Sequence, residues 1–120
     1  MIQVHVGMIA PPEKRDEIER TWRARVAPTR ALRGCLDCRL YREVDDEGAL
    51  SLVELWQDHA AWERHALSAS FREVLVVVEL SLEPPEIAFQ TIQTTRGLPY
   101  LAALQSQRES PAAAEPGAGR

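Results

Sequence analysis

A chain of 120 residues holds one domain with a single core, and at this size a monomer buries surface inefficiently, so a partner chain would add stability. Lys and Arg number 14 against 18 Asp and Glu, a net charge of −4, which excludes the basic footprint of a nucleic-acid binder and favours a neutral or hydrophobic small molecule. No apolar run reaches the roughly 20 residues that cross a bilayer, and the opening MIQVHVGMIAPPEKRDE lacks the charged lead-in of a signal peptide, so a cytoplasmic protein with no membrane contact is expected.

Residues 2–9 alternate, with Ile2, Val4, Val6 and Met8 on one side and Gln3, His5 and Gly7 on the other, which reads as a half-buried strand. Pro12 suits the first position of a helix whose early turns hold Glu13, Asp16 and Glu17 and whose last turn holds Arg23 and Arg25, matching the helix dipole. Ile18, Trp22 and Val26, four apart, form its buried stripe, which makes Trp22 a core residue, and Pro28 is expected to end it.

A second strand over 36–44 places Leu36, Cys38, Leu40 and Val44 on one side and Asp37, Arg39, Tyr41 and Glu43 on the other. Cys35 and Cys38 form a C-x-x-C at its start. Positions three apart on a strand point to opposite sides and no second Cys or His pair lies at ligand spacing, so ordinary strand cysteines are expected and no metal. Asp45-Asp46-Glu47-Gly48 turns the chain into a third strand over 50–56, completing a hairpin. Its sequence, LSLVELW, is nearly apolar on both sides, so something should cover the second one.

Asp58 is placed to cap a short helix over 59–67, and Ser68 or Ser70 to start another that runs to about residue 82. VLVVV at 74–78 is strand-like by propensity, but Phe71, Val74, Leu75, Val78 and Leu82 fall at helical spacing, and the segment reads as helix. Pro84-Pro85 stops it, 86–93 reads as a fourth strand, LPYLAALQSQ as a short added helix, and PAAAEPGAGR as a low-complexity disordered tail. A domain over 1–97 with an extension over 98–120 follows.

The order βαββαβ is an α+β, ferredoxin-like arrangement: a four-stranded antiparallel sheet with both helices on one face and the other face open. An open face carrying Leu52, Trp56 and Tyr41 would be a large apolar patch, so a homodimer with its two sheets facing each other is expected. Arg39, Tyr41, Glu54, His5 and Gln3 share that face only if the strand registers agree, and Arg39 with Glu54 then makes a cross-strand ion pair at its rim. Trp62 and Phe71 are either core or pocket wall, while His5 and His59 stand alone.

Pro12-Glu13-Lys14 opening the first helix, Gly34-Cys35 opening the second strand, Tyr41, Leu52-Val53-Glu54-Leu55-Trp56 and His65-x-x-Ser68-x-x-Phe71 occur in that order over residues 1 to about 94. In this set the chain resembles the antibiotic-biosynthesis-monooxygenase superfamily of dimeric α/β barrels, and most of all its small quinol-monooxygenase-like members. In the haem-degrading members a histidine four residues after the matching Phe holds the iron, and here that position is Leu75, which disfavours haem. The anthrone oxygenases carry a Trp where this chain has His65 and an Asn where it has Ala61, whereas the quinol-monooxygenase-like and isomerase members are similar to it in having His. The resemblance therefore implies a cofactor-free monooxygenase of a small aromatic, quinol or polyphenol, with molecular oxygen as co-substrate. His65 is the candidate base, since an imidazole that titrates near neutrality can take a phenolic proton. Tyr41, Trp56, Trp62, Phe71, Arg39 and His5 are the candidate substrate-binding residues. A proton-shuttling isomerase of a small hydroxy-ketone and a non-enzymatic ligand-binding dimer are the alternatives, and the latter predicts a sealed pocket with His65 bonded only to backbone.

Overall fold

The computed structural model describes residues 1–108, so the tail PAAAEPGAGR lies outside the described residues. Strands β1 (Ile2–Ile9), β2 (Cys35–Arg42), β3 (Ala49–Trp56) and β4 (Glu86–Thr91) form one antiparallel sheet in the order β2-β3-β1-β4. Helices α1 (Arg15–Arg30), α2 (His59–Ala66) and α3 (Ala69–Val78) connect them, and α4 (Leu98–Arg108) follows β4 without burying any residue. This is the ferredoxin-like α+β fold. No helix among the described residues is long and apolar enough to cross a membrane.

The period-two pattern of β1 decides which face is buried. Ile2, Val4, Val6 and Met8 are buried under the helices, and the register sets them opposite Trp56, Glu54, Leu52 and Leu50 of β3. Leu52 and Trp56 therefore belong to the helix-covered core, with Glu54 between them, and not to the open face where the apolar patch was expected. The open face carries Gln3, His5, Arg39 and Tyr41 together with the half-buried Ser51, Val53 and Leu55. An Arg39–Glu54 ion pair is ruled out, since the two side chains lie on opposite sides of the sheet.

The helices differ from expectation at their ends. Helix α1 opens with a single 3-10 turn, Pro12–Lys14, and runs through Pro28 to Arg30. A proline this close to the end forfeits one backbone bond, while Ala31 N–H still reaches the Ala27 carbonyl at 3.1 Å and the buried Thr29 is held by tertiary packing. Asp58 caps α2 through Ala61 N–H at 2.9 Å and Ser68 caps α3 through Phe71 N–H at 3.2 Å. Helix α3 stops at Val78, and the chain turns so that Leu82 N–H meets the Ile9 carbonyl at 2.9 Å, which leaves Leu82 exposed. Its β-branched run costs a few tenths of a kcal/mol per residue as helix. Burial of Phe71, Val74 and Val78 contributes about 1.5–3 kcal/mol each, so packing overrides propensity.

A bulge at the start of β2 changes the cysteines. Cys35 lies opposite Trp56 and Asp37 opposite Leu55, so Leu36 is the extra residue and is pushed out to solvent. Both thiols consequently lie on the helix side, contrary to the simple alternation, and both are free. Just before them, Gly34 has φ of 87°, and a Cβ there would come within 2.5 Å of the Ala61 Cβ. Only glycine lets this loop press against α2, and the Gly34 carbonyl fixes the approach by accepting from Gln57 N–H at 2.8 Å.

Candidate functional site

Glu54 projects from the middle of β3 toward the helices because it shares parity with Leu52 and Trp56. It is 1 % exposed, and its Oε1 accepts a 2.9 Å hydrogen bond from the indole Nε1 of Trp56. His65, on the buried side of α2 with Ala61 and Trp62, places Nε2 3.4 Å from the Glu54 Oε2 and is itself 3 % exposed. Its ring stacks on Trp56 with centroids 4.8 Å apart and meets Phe71 edge-on at 5.4 Å. Trp62 stands behind, 6.3 Å from His65 and 5.0 Å from Phe71. Carboxylate, imidazole and indole thus lie together in an apolar cage, yet neither Nδ1 nor Nε2 of His65 has a hydrogen-bond partner among the described residues, the approach of Nε2 to Glu54 lacking hydrogen-bond geometry. An orphaned polar atom this deep is costly unless a ligand or solvent meets it.

A cavity of about 250 Å³ opens beside this ring. His65 and Trp56 form its inner wall, Leu32 and Ala61 its apolar sides, and Arg33, Arg64 and Ser68 complete its lining. The wall is continuous because Gly34 lets the loop after α1 lie against α2. The Ser68 hydroxyl is occupied, donating to the His65 carbonyl at 2.6 Å while capping α3.

Of the residues singled out from sequence, the structure brings His65, Trp56, Trp62 and Phe71 together. Tyr41, Arg39 and His5 lie on the other side of the sheet. There Arg39 Nε donates to Asp37 at 2.6 Å, and this hydrogen bond holds the Asp37 carboxyl below its usual range. His5 bridges Glu86, 3.1 Å from Nδ1, and Ser51, 3.0 Å from Nε2, by arching over the bare Gly7 that both residues flank in the ladders. His59 lines a separate hollow of about 300 Å³ with Trp62 and Phe89. Sequence reasoning missed Glu54 as a partner of His65, although its parity with Leu52 and Trp56 was a signal. It also missed Arg33 and Arg64, for which no signal exists because the loop and α2 are not adjacent in sequence.

Another hollow, about 940 Å³ between α1 and β2, shares no lining residue with the His65 cavity. Its arginines are committed to acids, Arg23 and Arg42 to Glu19, Arg30 and Arg39 to Asp37. It offers surface rather than chemistry.

The family model of the antibiotic biosynthesis monooxygenases matches residues 1–76. The chain belongs to this family. Among solved structures it is similar to PA3566 from Pseudomonas aeruginosa, with 30% identity, a TM-score of 0.67, and coverage of 78% of this chain and 94% of that one. It is also similar to Rv0793 from Mycobacterium tuberculosis, with 25% identity, a TM-score of 0.71 and coverage of 80% and 98%. A conserved protein from Methanosarcina mazei Go1 matches at 25% identity and a TM-score of 0.69, with coverage of 77% and 92%. No curated protein matches the chain.

Within this family member the two thiols lie close under the site without the character of nucleophiles. Cys38 pairs with Glu54 in the ladder, and burial, followed by the Glu54 carboxylate, pushes its thiol up to about 12; the same causes raise Cys35. An unfolded thiol ionises near 9.0, so between that pH and about 12 the folded chain binds more protons than the unfolded one. Stability therefore falls as pH rises through this window and is independent of this group below it. Urea titrations are expected to show wild type losing more stability between pH 9 and 11 than Cys38→Ala does; parallel losses would remove Cys38 as the cause.

Proposed function

We propose that the protein is a cofactor-independent monooxygenase of a small aromatic substrate, a quinol or polyphenol, with His65 as the general base. The observation that carries this reading is the unpartnered Nδ1 of a buried imidazole in the wall of a cavity of about 250 Å³. A dry apolar cavity of roughly 150 Å³ takes one benzene, so this space suits one substituted ring or two fused rings. An open cavity and a ring with no backbone bond run against a sealed, purely structural pocket.

The chemistry follows from the pair. His65 takes the phenolic proton, and the Glu54 carboxylate stabilises the imidazolium that forms, without leaving its bond to Trp56. The electron-rich quinolate gives one electron to molecular oxygen, and the resulting radical pair recombines through a new carbon–oxygen bond. Proton return from His65 to the distal oxygen breaks the O–O bond, and with loss of the ring hydrogen the products are a hydroxyquinone and water. Atoms and electrons balance: quinol plus O2 gives hydroxyquinone plus H2O, the substrate supplying all four electrons. Trp56 holds the ring, while Phe71 and Trp62 lie outside the cavity lining and pack against His65.

The same reading includes a cytoplasmic homodimer formed through the open sheet face, where Val53, Leu55 and Tyr41 present apolar surface, with 1–97 as the domain and 98–120 as an extension. Oxygen uptake by purified, chelator-treated protein with a reduced quinone is expected at one O2 per substrate, in a sample whose light scattering returns twice the monomer mass. No uptake above the protein-free rate across mono- and bicyclic quinols would overturn the oxygenase reading, turnover without oxygen would favour the isomerase, and a monomer mass would overturn the dimer.

A further inference from the structure

We propose that the substrate of the His65 cavity is an aromatic acid, a phenolic ring bearing a carboxylate that Arg33 and Arg64 receive at the cavity mouth. The inference rests on the proposed ring-binding role of the cavity and adds the charge of its occupant. Arg15, Arg23, Arg25, Arg30, Arg39 and Arg42 each pair with a carboxylate. Arg33 and Arg64 pair with none among the described residues, as do Arg20, Arg72, Arg96 and Arg108, but of these six Arg33 and Arg64 are the two that line this cavity.

They come from different elements, the loop after α1 and the exposed side of α2, and Gly34 is what joins these. The guanidinium of Arg64 lies across Gly34, its terminal nitrogen 3.9 Å from where a Cβ would stand. Two cations thus lie at one opening in a protein whose net charge is −4. The global field repels an anion and two uncompensated guanidiniums reverse it locally, over distances shorter than the roughly 8–10 Å Debye length. Guanidinium forks match a planar carboxylate in shape as well as charge. Opposite them the walls are Trp56 and the imidazole face, which suit a ring and not a second anion, because Glu54 lies directly behind His65. Carboxylate at the mouth and hydroxyl at His65 is the orientation these charges favour.

The test compares hydroquinone with gentisate, which is hydroquinone with one ring hydrogen replaced by a carboxylate. Binding to the full chain is read anaerobically by quenching of tryptophan fluorescence, at neutral pH and low salt. Gentisate is expected to bind about tenfold tighter than hydroquinone, the discounted worth of two partly solvated charge-assisted contacts. Arg33→Gln and Arg64→Gln should each remove part of that advantage and the double variant all of it. Arg20→Gln, which deletes an equal charge from the exposed side of α1, should leave it in place. Raising the salt should weaken gentisate and not hydroquinone. Hydroquinone binding as tightly as gentisate, or a double variant that keeps the preference, overturns the inference while the quinol reading stands. Gentisate bound with the expected preference but without oxygen uptake upholds the inference and overturns the oxygenase reading. Failure of both ligands to bind overturns both.

Discussion

Conversion of His65 to Gln is expected to lower quinol-dependent oxygen uptake by about 10²- to 10⁴-fold, the usual worth of a positioned general base. Glutamine approximates the imidazole in volume and keeps hydrogen-bonding capacity, so the cavity wall against Trp56 survives, but it takes no proton from a phenol. The loss should therefore fall on kcat far more than on ligand affinity, and single-turnover oxygen traces together with fluorescence titration separate the two. A variant that consumes oxygen at the wild-type rate would remove His65 from the mechanism. Because the change removes the imidazole that lies 3.4 Å from the buried Glu54 carboxylate, some loss of stability is expected. Rates are accordingly referred to folded protein, measured by circular dichroism on the same samples.

The architecture was legible because two periodicities are strong. Alternation in Ile2–Ile9 and the four-residue spacing of Ile18, Trp22 and Val26 place strand, helix and buried face with little ambiguity, and Asp58 and Ser68 act as the caps their chemistry suggests. The site was half legible. β3 reads as apolar on both sides, which leaves its parity open, and the expectation of an apolar open face carrying Leu52 and Trp56 turned Glu54 the wrong way with them. Register with β1 settles it, since Val4 stands opposite Glu54 and Ile2 opposite Trp56. The common side of Cys35 and Cys38 depends on a bulge at Leu36, a one-residue slip that flips a pair and leaves no mark in composition. The convergence of Arg33 and Arg64 depends on a glycine at positive φ touching Ala61 across the chain. Pairwise contacts of that kind arise only when the elements have packed.

Glu54→Leu is expected to destabilise the fold by about 2–5 kcal/mol, read as a fall in the urea midpoint, because it strips the partner from the indole N–H of Trp56 and from His65 inside the core. Glu54→Gln should cost less, since an amide oxygen can still accept from Trp56, yet its oxygen uptake should drop because nothing then stabilises the imidazolium. The informative member is the double variant Glu54→Leu/His65→Leu. Replacing both halves of a buried polar pair by apolar groups of similar volume is often neutral or stabilising, whereas breaking one half is costly. The double variant should therefore recover most of the stability lost by Glu54→Leu, short of the orphaned indole N–H, while oxygen uptake stays abolished. That outcome would mean the pair is retained against the interest of the fold, which a structural role does not explain and a proton-transfer role does. If the double variant is instead destabilised by the sum of the Glu54→Leu and His65→Leu costs, the carboxylate and imidazole are not energetically coupled, and His65 must act without Glu54.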